Sequence, residues 1–342
     1  MKTKTFARLS RALAVSAVAA AFAASPAAAT DYVKMSTLGP GSSPNLVMTT
    51  FATTVNQKTG GAIEVQVNAT GAATKHAIEA AQGKIDLFMF SPLVHSFMSQ
   101  KKAMYAKVAD APALSQKLRV LFAFPIGVYH MAAYADSGIT SLQDLKGKKV
   151  FLGPPSGAAT RVMGGLVAAV AGYKAGQDYE AVKLGWGAAA QAFQDGQLDV
   201  YMNPTNAPSP VFQQVALTRK IRFLGIPREK LQDPKVKALY DRPGGALGVL
   251  PKGIYGRNQV NDTDVIVIKS VVGIGAGEHV KTDVAYTMVK TFWQNIGAES
   301  KGTPWLRALS RDDVFEQVNA KLHPGAVQYY REIGMKIPEK LL

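Results

Sequence analysis

Clusters of hydroxyl, amide and basic side chains stand where this 342-residue chain turns from strand-like into helix-like runs, and the chemistry open to them is the binding of an anion. Ser156, Gly157 and Thr160 open an apolar helical stretch. At a helix start the backbone N–H groups lack partners and the dipole is positive, so hydroxyls placed there add further donors for a carboxylate. Arg161 follows directly, and its forked guanidinium matches a carboxylate in bidentate fashion. Ser42, Ser43 and Asn45 repeat the pattern nearer the N-terminus, and Thr74 with Lys75 repeat it again. Ser91 opens a further element, with His95 one turn on. Trp186 offers a flat apolar wall, and Asn203 and Asn206 offer amides to a polar ligand. Each has a plainer use: Ser and Thr cap helices, Asn beside Pro204 and Pro208 makes turns, Lys75 and Arg161 suit a solvated surface, and His95 and Trp186 suit a core.

These residues do not form a catalytic motif. The sequence contains no Gly-x-Ser-x-Gly elbow, no Gly-x-x-x-x-Gly-Lys phosphate loop and no His-Glu-x-x-His pair. Its five histidines, at 76, 95, 130, 279 and 323, show no metal-ligand spacing. The expectation is a binding protein that is not an enzyme and uses no metal and no cofactor.

The elements that must position these residues alternate. Strand-like runs fall at 32–38, 63–67, 85–90, 128–135, 149–153, 182–186, 198–202 and 265–274. Helical runs fall at 46–55, 75–82, 141–147, 161–170, 188–194, 282–296 and 327–334. Such alternation predicts an α/β fold with largely parallel sheets. Residues 227–264 are rich in Pro, Gly and charge and read as irregular.

The N-terminus has three zones: a basic stretch with Lys2, Lys4, Arg8 and Arg11, an apolar run over 12–24, and Ala27-Ala28-Ala29. That is the pattern of a secretory signal peptide cleaved after Ala29. The apolar run is shorter than the roughly 20 residues a membrane span needs. The remaining chain is long enough to divide into about two domains. It has no cysteine, so small disulfide scaffolds are excluded. Four of the 39 basic residues and none of the 24 acidic ones lie in the leader, which leaves a mature net charge of about +11. The basic residues are scattered among apolar segments, so they steer anions weakly and do not form a nucleic-acid surface.

The segment from Ala135-Asp136-Ser137-Gly138 through Leu145-Lys146-Gly147-Lys148-Lys149-Val150, with Gly153 and Ser156-Gly157 after it, resembles the second lobe of type II periplasmic binding proteins. The ending Leu322-His323-Pro324-Gly325-Ala326-Val327-Gln328-Tyr329-Tyr330-Arg331-Glu332 is more specific, and resembles the solute receptors of the TAXI branch of TRAP transporters. Thr70-Gly71, Gly83-Lys84-Ile85-Asp86-Leu87, Asp195-Gly196-Gln197-Leu198-Asp199 and Pro251-Lys252-Gly253-Ile254-Tyr255-Gly256 match in order. The resemblance implies two α/β lobes joined by crossing strands, with residues 30–134 plus 255–342 in lobe I and 135–254 in lobe II. It implies a periplasmic receptor that closes over a small organic anion, such as a dicarboxylate, an oxo acid or a glutamate-like acid, and docks on TRAP permease subunits in the membrane; with no heptad pattern or long apolar stripe in the sequence, a monomer is expected. In the other TRAP receptor branch a strand arginine pairs with the ligand carboxylate. Phe151 stands there in this chain, which leaves the second-lobe hydroxyls as the expected anion contacts. An exported chemosensory binder of the same fold and an exported enzyme with a dispersed site stand as alternatives.

Overall fold

The computed structural model describes residues 29–40, 42–155, 157–299, 306 and 309–342. The signal-peptide reading falls on residues 1–29, nearly all outside the described residues, and Ser156 lies outside them as well. The first half of the chain runs β1 (Asp31–Ser36), α1 (Ser43–Lys58), β2 (Ile63–Asn68), α2 (Ala73–Ala81), β3 (Leu87–Phe90), α3 (Pro92–Ser99), α4 (Ala111–Ser115), β4 (Leu118–Tyr134), β5 (Lys149–Phe151) and α5 (Ala158–Ala171). The second runs β6 (Glu180–Ala181), α6 (Trp186–Gln194), β7 (Val200–Thr205), α7 (Pro210–Thr218), β8 (Ile221–Phe223), α8 (Pro234–Tyr240), β9 (Gly245–Leu250), β10 (Val265–Gly277), α9 (Thr282–Glu299) and α10 (Pro324–Glu332). Among the described residues, no helix is long and apolar enough to cross a membrane.

Local chemistry explains several boundaries. Ser42 accepts the Asn45 N–H and Pro44 sits in the first turn, which starts α1. Ser91 accepts the Val94 N–H with Pro92 behind it and starts α3. His323 caps α10 through Nδ1, which accepts the Gly325 N–H at 3.2 Å, while its Nε2 lies 3.0 Å from Val280 O. That motif histidine is architectural.

The strand order is β2-β1-β3-β10-β4-β7-β5-β6, with β8 added on β4 and β9 on β10. Placing the last strand, β10, beside β3 and using two long strands to join the halves gives the two-lobed type II periplasmic binding protein fold. The sheet is less parallel than expected. β1, β2 and β3 pair in parallel, as do β5, β6 and β7, but every ladder made by β4 and β10 is antiparallel. Side-chain alternation marks a strand without marking its direction, and these two strands run through both halves.

Apolar residues form two cores. One collects β1 to β3, α1, α2, α9, α10 and the first part of β4, up to Ile126, with the last part of β10, from Val271. The other takes over β4 from Val128 and β10 up to Ile268, contains β5, β7, α5 and α6, and takes in Leu93 of α3. The crossing point is therefore Gly127 on β4 and Lys269 to Ser270 on β10. Gly127 has φ +87°, and a side chain there would overlap the carbonyl of Thr205. The register of β10 against β4 also shifts between Ser270 and Val271.

Several sequence readings need correction. Residues 227–264 are not irregular: they hold α8 and β9. Their alternation is masked because β9 exposes Leu247 and Val249 on its outer face. No strand covers 182–186; the strand there is the short β6, and Trp186 opens α6. β7 extends to Thr205, so Asn203 lies within a strand despite the proline that follows it.

Candidate functional site

The chain folds so that the C-terminal ends of its parallel strands face one another across the seam between the two cores. In α/β sheets this is where ligands bind, because loops and helix starts converge there. A cavity of about 80 Å³ lies at that place. Leu38 and Pro44 reach it from the loop after β1, Gly71 to Thr74 after β2, Ser91 after β3, Pro154 and Gly157 to Ala159 after β5, and Trp186 after β6. The floor is formed where the strands cross, by Ile126 and Tyr129 of β4 and by Ser270, Val271 and Val272 of β10.

The helices that meet this cavity start in two ways. α1 and α3 are capped by serine hydroxyls. α2, α5 and α6 begin at Ala72, Gly157 and Gly185, and no side chain caps them. Their first-turn N–H groups are the donors an uncapped helix leaves unpaired, and all three starts border the cavity. The loop before α2 is held by His76, which burial keeps neutral by lowering its pKa; its Nε2 lies 2.8 Å from Thr70 O.

Among the described residues one cationic side chain lines the cavity, Arg242. Its Nη2 donates to Ser270 Oγ at 2.7 Å and its Nη1 to Pro243 O at 3.3 Å. Ser270 in turn donates to Tyr129 Oη at 3.4 Å. The Nε of Arg242 is buried without a partner. No carboxylate among the described residues forms an ion pair with this guanidinium. An arginine so placed retains donor capacity and positive charge for a group that enters the cavity.

Of the residues singled out from sequence, Thr74, Ser91, Gly157 and Trp186 line the cavity. Trp186 is buried and meets Phe151 edge-on at 5.5 Å, so the position of the other branch's arginine is filled by an aromatic wall. Ser42 and Asn45 are buried in the capped start of α1, and the Ser42 hydroxyl also donates to Gly39 O. Ser43 is turned to the opposite half: its Oγ lies 3.1 Å from Thr205 Oγ1 and accepts the Asn206 N–H at 3.1 Å. The Thr160 hydroxyl donates to Pro154 O at 2.7 Å and fixes the loop that lines the cavity, without lining it itself. Arg161 lies over the Phe97 ring at 5.6 Å, outside the main cavity. Lys75 is exposed and paired with Glu79 at 3.4 Å. Asn203 donates to Tyr201 Oη at 2.7 Å. His95 is buried away from the cavity, 5.7 Å from Phe90, and burial lowers its pKa.

Sequence reasoning missed Arg242, Ser270 and Tyr129. Arg242 sits in the segment that reads as irregular, and the one available signal was an isolated arginine before Pro243-Gly244-Gly245, at the entry to β9.

Among solved structures, the chain is similar to the alkanesulfonate-binding protein SsuA from Xanthomonas axonopodis pv. citri bound to MOPS. The identity is 15% over 90% of this chain and 82% of that one, with a TM-score of 0.45. It is similar to DctP7, a Bordetella pertussis extracytoplasmic solute receptor binding pyroglutamic acid, at 15% identity over 89% and 92% of the two chains, with a TM-score of 0.43. A TRAP periplasmic solute binding protein from Desulfovibrio salexigens with bound orotic acid is 13% identical over 89% and 94%, with a TM-score of 0.44. The NMT1-like family model matches residues 37–334. A match over nearly the whole described chain shows that the protein belongs to the NMT1-like family.

Proposed function

We propose that this protein is a periplasmic receptor that captures a small organic anion between two lobes and delivers it to a TRAP-type membrane permease. The observation that carries this reading is the convergence, at one seam cavity, of three uncapped helix starts and Arg242, which has no carboxylate partner among the described residues and whose Nε lacks a hydrogen bond. Donors without acceptors and a cation without an anion form a site that a carboxylate completes. In this reading residues 30–134 plus 255–342 form lobe I and 135–254 form lobe II. The change of core within β4 and β10 supports two lobes but moves their boundary to Gly127 and Ser270, since residues of 128–134 and 255–268 pack into the second core. The ligand bridges both lobes, so it binds the closed arrangement more tightly than the open one, and the permease reads closure.

A thermal-shift screen of the chain lacking residues 1–29 tests the proposal with monocarboxylates, dicarboxylates, oxo acids and amino acids. A ligand present at 100 times its Kd stabilises the folded state by about 2.7 kcal/mol. At least one acid class is expected to raise the melting temperature. A flat response across all classes, confirmed by calorimetry, would refute the receptor reading.

A further inference from the structure

We infer that the ligand is a small monoanion with an apolar body and no ammonium group, its carboxylate held by Arg242. This inference rests on the receptor reading above and narrows it to a substrate class. Among the described residues Arg242 is the single charged one on the cavity wall, and no Asp, Glu, Lys or His among them lines it. Beyond Arg242 the described wall offers a second carboxylate helix starts but no further cationic side chain, Arg161 lying in the adjoining pocket, and an α-ammonium group would be buried with no carboxylate to meet it. Dicarboxylates and amino acids are therefore selected against by what the wall lacks.

The rest of the wall states what is accepted. The wall also carries Leu38, Met89, Ile126, Val272 and Trp186. Such surface rewards a hydrocarbon body. A cavity of 150 Å³ holds benzene, so about 80 Å³ suits a tail of about three or four carbons. Arg242 is already oriented by Ser270, itself bonded to Tyr129, so the guanidinium does not have to be ordered when the ligand arrives.

Isothermal titration of the chain lacking residues 1–29 with 2-methylpropanoate, 3-methylbutanoate, 2-methylpropanamide, succinate and glutamate tests this. Saturable binding is expected for the two branched monocarboxylates. Succinate and glutamate should be weaker by about tenfold or more, and the neutral amide silent. Arg242→Gln should weaken the monocarboxylates by about 10- to 100-fold, since it removes a charge-assisted hydrogen bond. Arg242→Lys, which keeps the charge and loses the fork, should fall between the two. Tighter binding of succinate or glutamate than of either monocarboxylate would overturn the inference while leaving the receptor reading intact. Unchanged monocarboxylate affinity in either Arg242 variant would overturn the assignment of the anchor. Silence from every acid, in the presence of a folded chain, would refute the receptor reading and the inference together.

Discussion

Acidification should destabilise the second core through His130, whose ring has no exposure to solvent. Its Nδ1 lies 2.9 Å from Val128 O and its Nε2 lies 2.7 Å from Tyr255 Oη. A carbonyl can only accept, so the neutral ring donates from Nδ1 and accepts the Tyr255 O–H at Nε2. The Tyr255 oxygen in turn accepts the Ser209 N–H at 2.9 Å. A second ring proton would face that tyrosine oxygen and end its donation, and the new charge would sit against Phe212, stacked at 4.8 Å, and Phe223. Burial therefore lowers the histidine from 6.5 to about 4. Above pH 6.5 the ring is neutral in folded and unfolded chains and adds no pH dependence. Between pH 6.5 and about 4 the unfolded chain binds a proton that the folded chain refuses, so stability falls as pH falls, and the loss levels off below about 4. At about 1.4 kcal/mol per pH unit, the loss is about 3 kcal/mol. Urea unfolding of the natural chain and of His130→Gln, measured from pH 7 to pH 4, isolates it. The other buried histidines, His76, His95 and His323, titrate in both proteins and cancel in the difference. The advantage of the natural chain should shrink by about 3 kcal/mol over that interval. Parallel pH profiles for the two proteins would refute the reasoning.

Ser43→Ala removes the hydroxyl that joins Thr205 Oγ1 and the Asn206 N–H across the seam, and leaves the Asn206 N–H without its acceptor while Thr205 keeps Ser209. It should cost about 1–3 kcal/mol, read as a lower urea midpoint with an unchanged slope. Gly127→Ala places a side chain at a positive φ and against the Thr205 carbonyl, at the point where the chain passes between cores. The backbone penalty alone is about 1–2 kcal/mol, and the overlap adds to it. The expected result in a calorimetric scan is a marked fall in melting temperature, and a melt like that of the natural chain would show that the crossing tolerates a side chain.

The alternation of β-like and helical runs, the serine caps at Ser42 and Ser91 and the glycine-rich junctions were enough to mark an α/β chain and several of its helix starts, because these signals are local. A cap bonds within its own first turn and a strand alternates within its own length. Direction was not legible: β4 and β10 look like ordinary strands, yet their length and antiparallel pairing carry the chain between two cores. The site was legible only as a set of junctions. Which hydroxyls remain for a ligand depends on partners far away in sequence. Ser43 meets Thr205 on the opposite half, and Thr160 is held by Pro154. Arg242 reaches the cavity because the pairing of β9 with β10 brings the loop before β9 beside Ser270, where burial leaves its Nε without a partner. Hydrogen-bond demand and charge balance are summed over neighbours in space, so the elements could be read from residue order, while which polar groups keep spare capacity was decided by the packing of one half against the other.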